Sequence, residues 1–215
     1  MINFEESKWY RATTVIWDVV LLGLIWTLFS LPLVTIGAST TALYYLATKK
    51  VSGVENDYIF AAFWKSFKEN FVKSTVVFLL LVVAGGVAWF NLTLLPYLDM
   101  GAMALPVRVA LFFVLVQVVF VATYVFAIIA RFETTSFGAI KAAFFIANRH
   151  IVATVTNFIL LLAIIVVVNF VPVLLLFMMG IHGYFASFMI VRLFRKHYPA
   201  FEESIDELKG SEEDE

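Results

Sequence analysis

The chain has 215 residues, of which 62% are hydrophobic and 14% charged, whereas soluble domains are about half apolar and about a quarter charged. The formal net charge is −1, without the basic patch or stripe that marks a nucleic-acid binder. Cysteine is absent, which excludes disulfides, thiolate metal sites and cysteine nucleophiles.

Glu5 and Glu6 accompany Lys8 and Arg11 ahead of an apolar run that begins at Val15. That run is too long for a signal-peptide core of about 7–15 residues, so it reads as part of the membrane domain. Val15–Leu31 carries Asp18 and ends at Pro32, and Ala42–Ala47 is apolar again, with Tyr44 and Tyr45 placed as interface anchors. Pro32 removes a helix donor. The region is therefore either one kinked span with a helical extension or a hairpin of two short spans, about 15–31 and 32–47. Next, Phe60, Phe63, Trp64, Phe67 and Phe71 recur at helical spacing with Lys65, Lys68 and Lys73 between them. The pattern predicts an amphipathic helix lying on the cytoplasmic surface, rings in the acyl boundary and lysines at the headgroups.

Four spans follow at Ser74–Leu95, Leu105–Ala130, Ile151–Val168 and Pro172–Val191, the last two joined by a tight turn at Asn169–Pro172. Each approaches the roughly 20 residues that cross a hydrocarbon core, where only helix satisfies the backbone within one segment. Phe137–Phe144 resembles Phe60–Phe67 and also precedes a pair of spans, which suggests a repeating unit of surface helix plus hairpin. The expected architecture is an all-α transmembrane bundle of five or six spans over residues 1–197, with interfacial amphipathic helices. An acidic cytoplasmic tail, 198–215, follows it.

Charge placement bears on the span count. Basic residues favour the cytoplasmic side. Five crossings put 12 of the 15 basic residues inside, and a hairpin with six crossings also brings in Lys8 and Arg11, leaving Arg108 alone outside. Both arrangements place the C-terminus in the cytoplasm.

The stretch Ile25–Tyr45, above all Phe29-Ser30-Leu31-Pro32 through Val34-Thr35 to Gly37-Ala38-Ser39, resembles the YesL-like family of bacterial integral membrane proteins, a domain of unknown function. Tyr58–Phe71, with Glu69 and Asn70, resembles it too. The resemblance implies a plasma-membrane protein associated with carbohydrate uptake or breakdown, with sugar-transporter subunits as partners. It supplies no catalytic residues. It marks Pro32, Thr35, Gly37, Ala38 and Ser39. Pro32 frees a carbonyl that a hydroxyl or neighbouring helix must satisfy, and the small residues permit close helix approach. The alternative is a broken helix lining a substrate site, as in transporters.

Three histidines, His150, His182 and His197, have no metal-ligand spacing, and no HExxH, GxxxxGK or GxSxG motif occurs. No cofactor and no enzyme activity is expected. Polar groups at membrane depth need partners: Asp18, Gln117 and His182 are the deep ones, while Asn157 and Asn169 read as shallower. They either line a shared polar site or hold helices together. Three functions follow in order: an accessory or regulatory component of carbohydrate uptake or utilisation, a small stand-alone transporter with a polar site near Gln117 and His182, and an intramembrane enzyme. A single cysteine at Ser7 tests the six-span arrangement. It should resist an impermeant maleimide in intact cells, and ready labelling would leave five.

Overall fold

The computed structural model describes residues 8–54, 58–198, 201–203, 205–207 and 210. Among them there is no strand. The helices run in order α1 (Lys8–Phe29), α2 (Ile36–Val51), α3 (Ile59–Leu94), α4 (Ala104–Arg131), α5 (Ser136–Arg149), α6 (Ile151–Phe170) and α7 (Leu175–His197). Prolines punctuate them. Pro32, Pro96 and Pro172 lie between helices and Pro106 lies in the first turn of α4, where a missing N–H costs nothing.

Four helical stretches are long and apolar enough to cross a membrane: Ile59–Tyr97, Gly101–Arg131, Ile151–Phe170 and Leu176–Lys196. Their outer faces are apolar as well. Val83, Phe90, Phe112, Ile159, Val166 and Phe185 are all exposed, and only 17% of the span in α6 is buried within the bundle. Helices this apolar with so little protein cover are built for a hydrocarbon solvent.

The ambiguous N-terminal region is a hairpin. Asp18 of α1 pairs with Lys50 of α2, and Trp26 Nε1 donates to Thr40 Oγ1 at 3.2 Å. Early α1 thus meets late α2, so the two run antiparallel. The kink at Pro32 is a turn of the whole chain, closed by the short 3-10 segment Leu33–Thr35. α2 then takes the centre of the bundle against α1, α3, α4 and α7, with Ala38, Ala42, Leu43 and Leu46 buried.

The helices meet where side chains are smallest. A Cβ on Gly23 would stand 2.9 Å from the backbone oxygens of Leu176 and Phe177, and one on Gly180 would clash with Val19 O and Gly23 N. α1 and α7 therefore touch backbone to backbone and run antiparallel. A Cβ on Gly37 would stand 2.5 Å from Ser74 O of α3. Beside it Thr41 and Ser74 share a buried hydrogen bond of 2.7 Å. Between apolar helices in lipid, close contact and such bonds drive association, because burial of apolar surface gains little there.

Phe60–Phe71 is no separate surface helix, because it is the first third of α3, a continuous 36-residue helix about 54 Å long at the α-helical rise. Its aromatic face is covered in part: Phe63 and Phe67 are buried while Phe60 and Trp64 are exposed, and the Phe29 ring sits 5.4 and 5.2 Å from those of Phe63 and Phe67. α5, the counterpart expected on the surface, folds back against α4, with Ala139, Ala143, Ile146 and Ala147 buried. Two residues after α7 also pack against the bundle. Phe201 and Ile205 belong to the main core cluster, Phe201 at 5.5 Å from the Phe194 ring. The acidic run Ser211–Glu215 lies outside the described residues.

The close crossings predict a sharp contrast between glycines. Gly180→Val should cost about 1–3 kcal/mol through overpacking against α1. Gly86→Val, with nothing within 4 Å of its Cβ, should change stability by less than about 0.5 kcal/mol. Thermal unfolding of the detergent-solubilised protein reads both.

Candidate functional site

Asp18, Gln117 and His182 fall in three different places. Asp18 is paired with Lys50 where α1 and α2 close, with Tyr184 of α7 lining the same small crevice. Gln117 turns to α5: its Nε2 donates to Asn148 Oδ1 at 3.1 Å and its Oε1 accepts from Asn148 Nδ2 at 3.0 Å. The reciprocal amide pair joins α4 to α5 and leaves Gln117 no part in a shared site. Only His182 reaches a cavity.

That cavity, about 370 Å³, lies among α2, α3, α4, α6 and α7. Leu43, Phe78, Leu81, Phe126 and Leu161 supply apolar walls, and Thr40, Tyr44, Thr123, Asn157 and His182 the polar groups. The threonines are engaged already: Thr40 Oγ1 donates to Ile36 O at 2.7 Å, and Thr123 Oγ1 to Val119 O at 3.1 Å. The His182 ring is buried and lines the cavity beside Asn157. Asn157 differs from all of them. Its side chain is 2% exposed, and neither amide atom has a hydrogen-bond partner among the described residues. A carboxamide offers two donors and two acceptor positions, and leaving such a group buried and unpaired costs about 1–3 kcal/mol. A largely apolar cavity with a few convergent polar groups is the usual form of a small-molecule site.

Asn157 read as shallow because its sequence position, six residues into α6, sits close to the span's start. The usable signal was periodic. Thr154, Asn157 and Ile164 are the buried residues of α6, spaced three and seven apart on one face. Two polar groups on the one face turned to the protein were therefore the informative feature of an otherwise apolar helix. Tyr44, read as an interface anchor, is 3% exposed and lines the cavity.

None of the marked residues Pro32, Thr35, Gly37, Ala38 and Ser39 lines this cavity, although their neighbours Ile36 and Thr40 do. Thr35 Oγ1 lies 2.5 Å from Phe29 O and 2.6 Å from Pro32 O. It is thus the hydroxyl expected to serve carbonyls that the interrupted helix frees. Gly37 admits α3, Ala38 is packed away, and Ser39 is fully buried. Ile36 and Thr40, on the first turns of α2, face the cavity.

Among the described residues no group of three or more His, Asp or Glu side chains could hold a metal ion. A family described as "Protein of unknown function, DUF624" matches residues 19–92. The matched stretch takes in the second half of α1, the hairpin turn, α2 and nearly all of α3. No curated protein and no solved structure matches the chain.

The amide pair makes a quantitative prediction. In a double-mutant cycle on unfolding, Gln117→Leu and Asn148→Leu should couple by about 0.6–1 kcal/mol, the usual worth of an interhelical hydrogen bond in a membrane. Gln117→Leu and His182→Leu, which share no partner, should add within about 0.3–0.5 kcal/mol.

Proposed function

We propose that the chain is a plasma-membrane protein with six crossings and a cytoplasmic C-terminus, which binds a small amphipathic molecule in the Asn157–His182 cavity. It serves as an accessory or regulatory component of carbohydrate uptake or utilisation. The observation that carries the binding reading is the Asn157 amide, buried at a cavity wall with its hydrogen-bonding capacity unspent.

The six-crossing arrangement draws on the packing of α1 against α7. Gly23 meets Leu176 and Phe177, so α1 reaches the start of α7, and its last turn continues beyond. A helix that runs the length of a span-sized neighbour crosses the same slab. α2 returns beside it to Lys49 and Lys50. At that end Arg131 of α4 donates to Thr48 Oγ1 at 2.7 Å and to Tyr45 O at 3.2 Å. The end also carries α7's Arg192, Arg195 and Lys196, the clustering that the positive-inside rule assigns to the cytoplasm.

The link to carbohydrate comes from the family resemblance. The cavity itself suits an amphiphile better than a sugar, each of whose hydroxyls would need a partner that apolar walls do not supply. A role beside sugar-transporter subunits fits both. One observation favours a second reading, a stand-alone transporter: the cavity is lined from Ile36 and Thr40, just past the broken segment at Pro32, as in carriers with interrupted helices.

Purification from native membranes in mild detergent, with mass spectrometry of what accompanies the protein, tests the proposal. The wild type should retain a defined amphipathic small molecule together with transporter subunits. Asn157→Leu, close in volume, should keep the fold and the protein partners but retain about tenfold less of the molecule. Equal retention by the two would remove the cavity from the function. A retained molecule without protein partners would select the transporter reading, tested next by uptake in liposomes.

A further inference from the structure

A second cleft, about 280 Å³, lies away from the cavity, where the end of α5 meets the end of α7. It is lined by Phe145, Ile146, Arg149, His150, Leu193 and Tyr198. Ile146 is buried, while Phe145 is 60% exposed and turns outward. Tyr198 is held in place by the Phe132 and Phe194 rings at 5.2 and 5.8 Å. Among the described residues Arg149 makes no hydrogen bond and no ion pair, and no carboxylate lines the cleft. Glu202, on the segment after α7, is engaged by Arg195 at 3.2 Å. Past His150 the chain enters α6, whose first turns expose Ile151, Val152 and Val155.

We propose that this cleft is a binding site for an anionic phospholipid, its phosphate on Arg149 and one acyl chain lying over Phe145 and along α6. Arg149 presents the planar fork that matches phosphate oxygens. It stands at the basic end of the bundle, where a headgroup lies and where aromatic side chains border the hydrocarbon. The lining favours an anionic headgroup over a zwitterionic one, because no acidic side chain among the described residues lines it to receive a choline or ethanolamine ammonium. The apolar continuation along α6 favours a lipid over a free phosphate, which has no use for it.

The test is native mass spectrometry of the full chain in a non-ionic detergent, titrated with phosphatidylglycerol, with phosphatidylcholine, or with phosphatidylglycerol in the presence of millimolar inorganic phosphate. Phosphatidylglycerol should be retained in preference to phosphatidylcholine. Arg149→Gln should lower its retention about tenfold, the usual worth of a charged hydrogen-bonding partner, and Arg149→Lys should restore part of it. Arg108→Gln, at the opposite end of the bundle, should leave retention unchanged. Equal retention of the two lipids, or undiminished retention in Arg149→Gln, would overturn the site. Displacement of the lipid by inorganic phosphate would overturn its assignment to a lipid. None of these outcomes depends on the Asn157 cavity, since Asn157→Leu leaves the cleft intact.

Discussion

Contact between backbones at a few glycines is the constraint from which the rest of the bundle follows. Gly23 and Gly180 bring α1 onto α7, and Gly37 brings α2 onto α3 at Ser74. Gly183 leaves room for Leu43, whose Cδ2 would collide with any Cβ there. Side chains at these points would push the helices apart by ångströms and open the centre. Because they do close, a helix as short as α2, 16 residues, can be enclosed by four neighbours. Its own side chains stay small on the contact faces, with Gly37, Ala38, Ser39, Thr41 and Ala42 in succession near its start. The larger helices then present their apolar faces outward.

The second constraint is the expense of polar groups where no water reaches. Most are dealt with locally or in pairs. The hydroxyls of Thr40, Thr48, Thr123 and Ser187 return to carbonyls of their own helices. Tyr124 meets Thr154 at 3.1 Å, and Gln117 meets Asn148. Arg131 spends its donors on α2 and lays its guanidinium over the Tyr45 ring, 5.0 Å from the centroid. Several buried hydroxyls, Ser39 among them, show no partner, yet a serine in a helix has a carbonyl one turn back within rotamer reach. A carboxamide has four positions to fill; Asn70, Asn91 and Asn148 each donate to the carbonyl one turn back, whereas neither amide atom of Asn157 has a partner among the described residues. That difference is what makes Asn157 the informative exception, and it is why the functional reading rests on Asn157 and not on the more conspicuous histidine beside it.

Much of the fold was legible because its signal is one-dimensional. The four long spans are runs of apolar residues bounded by Pro, Gly and charge, and the helices at Ala104–Arg131 and Ile151–Phe170 begin and end within about two residues of those runs. What was not legible depended on direction. The period of Phe60, Phe63 and Phe67 is the same whether the aromatic face meets lipid or meets Phe29, so an amphipathic helix and the covered base of a long one look alike. Gln117 could not be assigned to Asn148 because its partner sits 31 residues away, on a segment whose orientation follows from packing on α4. Phe201 and Ile205 are spaced by one helical turn inside an acidic stretch. Net charge outweighed that spacing in the reading of a tail, although two apolar residues four apart are enough to dock one helical turn.

α6 is where the two sites come together. With α3 it is one of two spans of which only 17% is buried, and its inward face carries Asn157. Its first residue follows His150, which lines the cleft. Thr154 helps to fasten α5 to α6: its Oγ1 lies 2.9 Å from Ala147 O and 3.1 Å from His150 O while meeting Tyr124 Oη. The rest of the bundle is tied more strongly, by the glycine crossings of α1, α2, α3 and α7 and by Arg131 between α4 and α2. α6 packs on α4, α5 and α7, with a cavity on one side and exposed apolar side chains on the other. A molecule at Asn157 and a lipid at Arg149 would each supply contacts to that helix which the polypeptide does not.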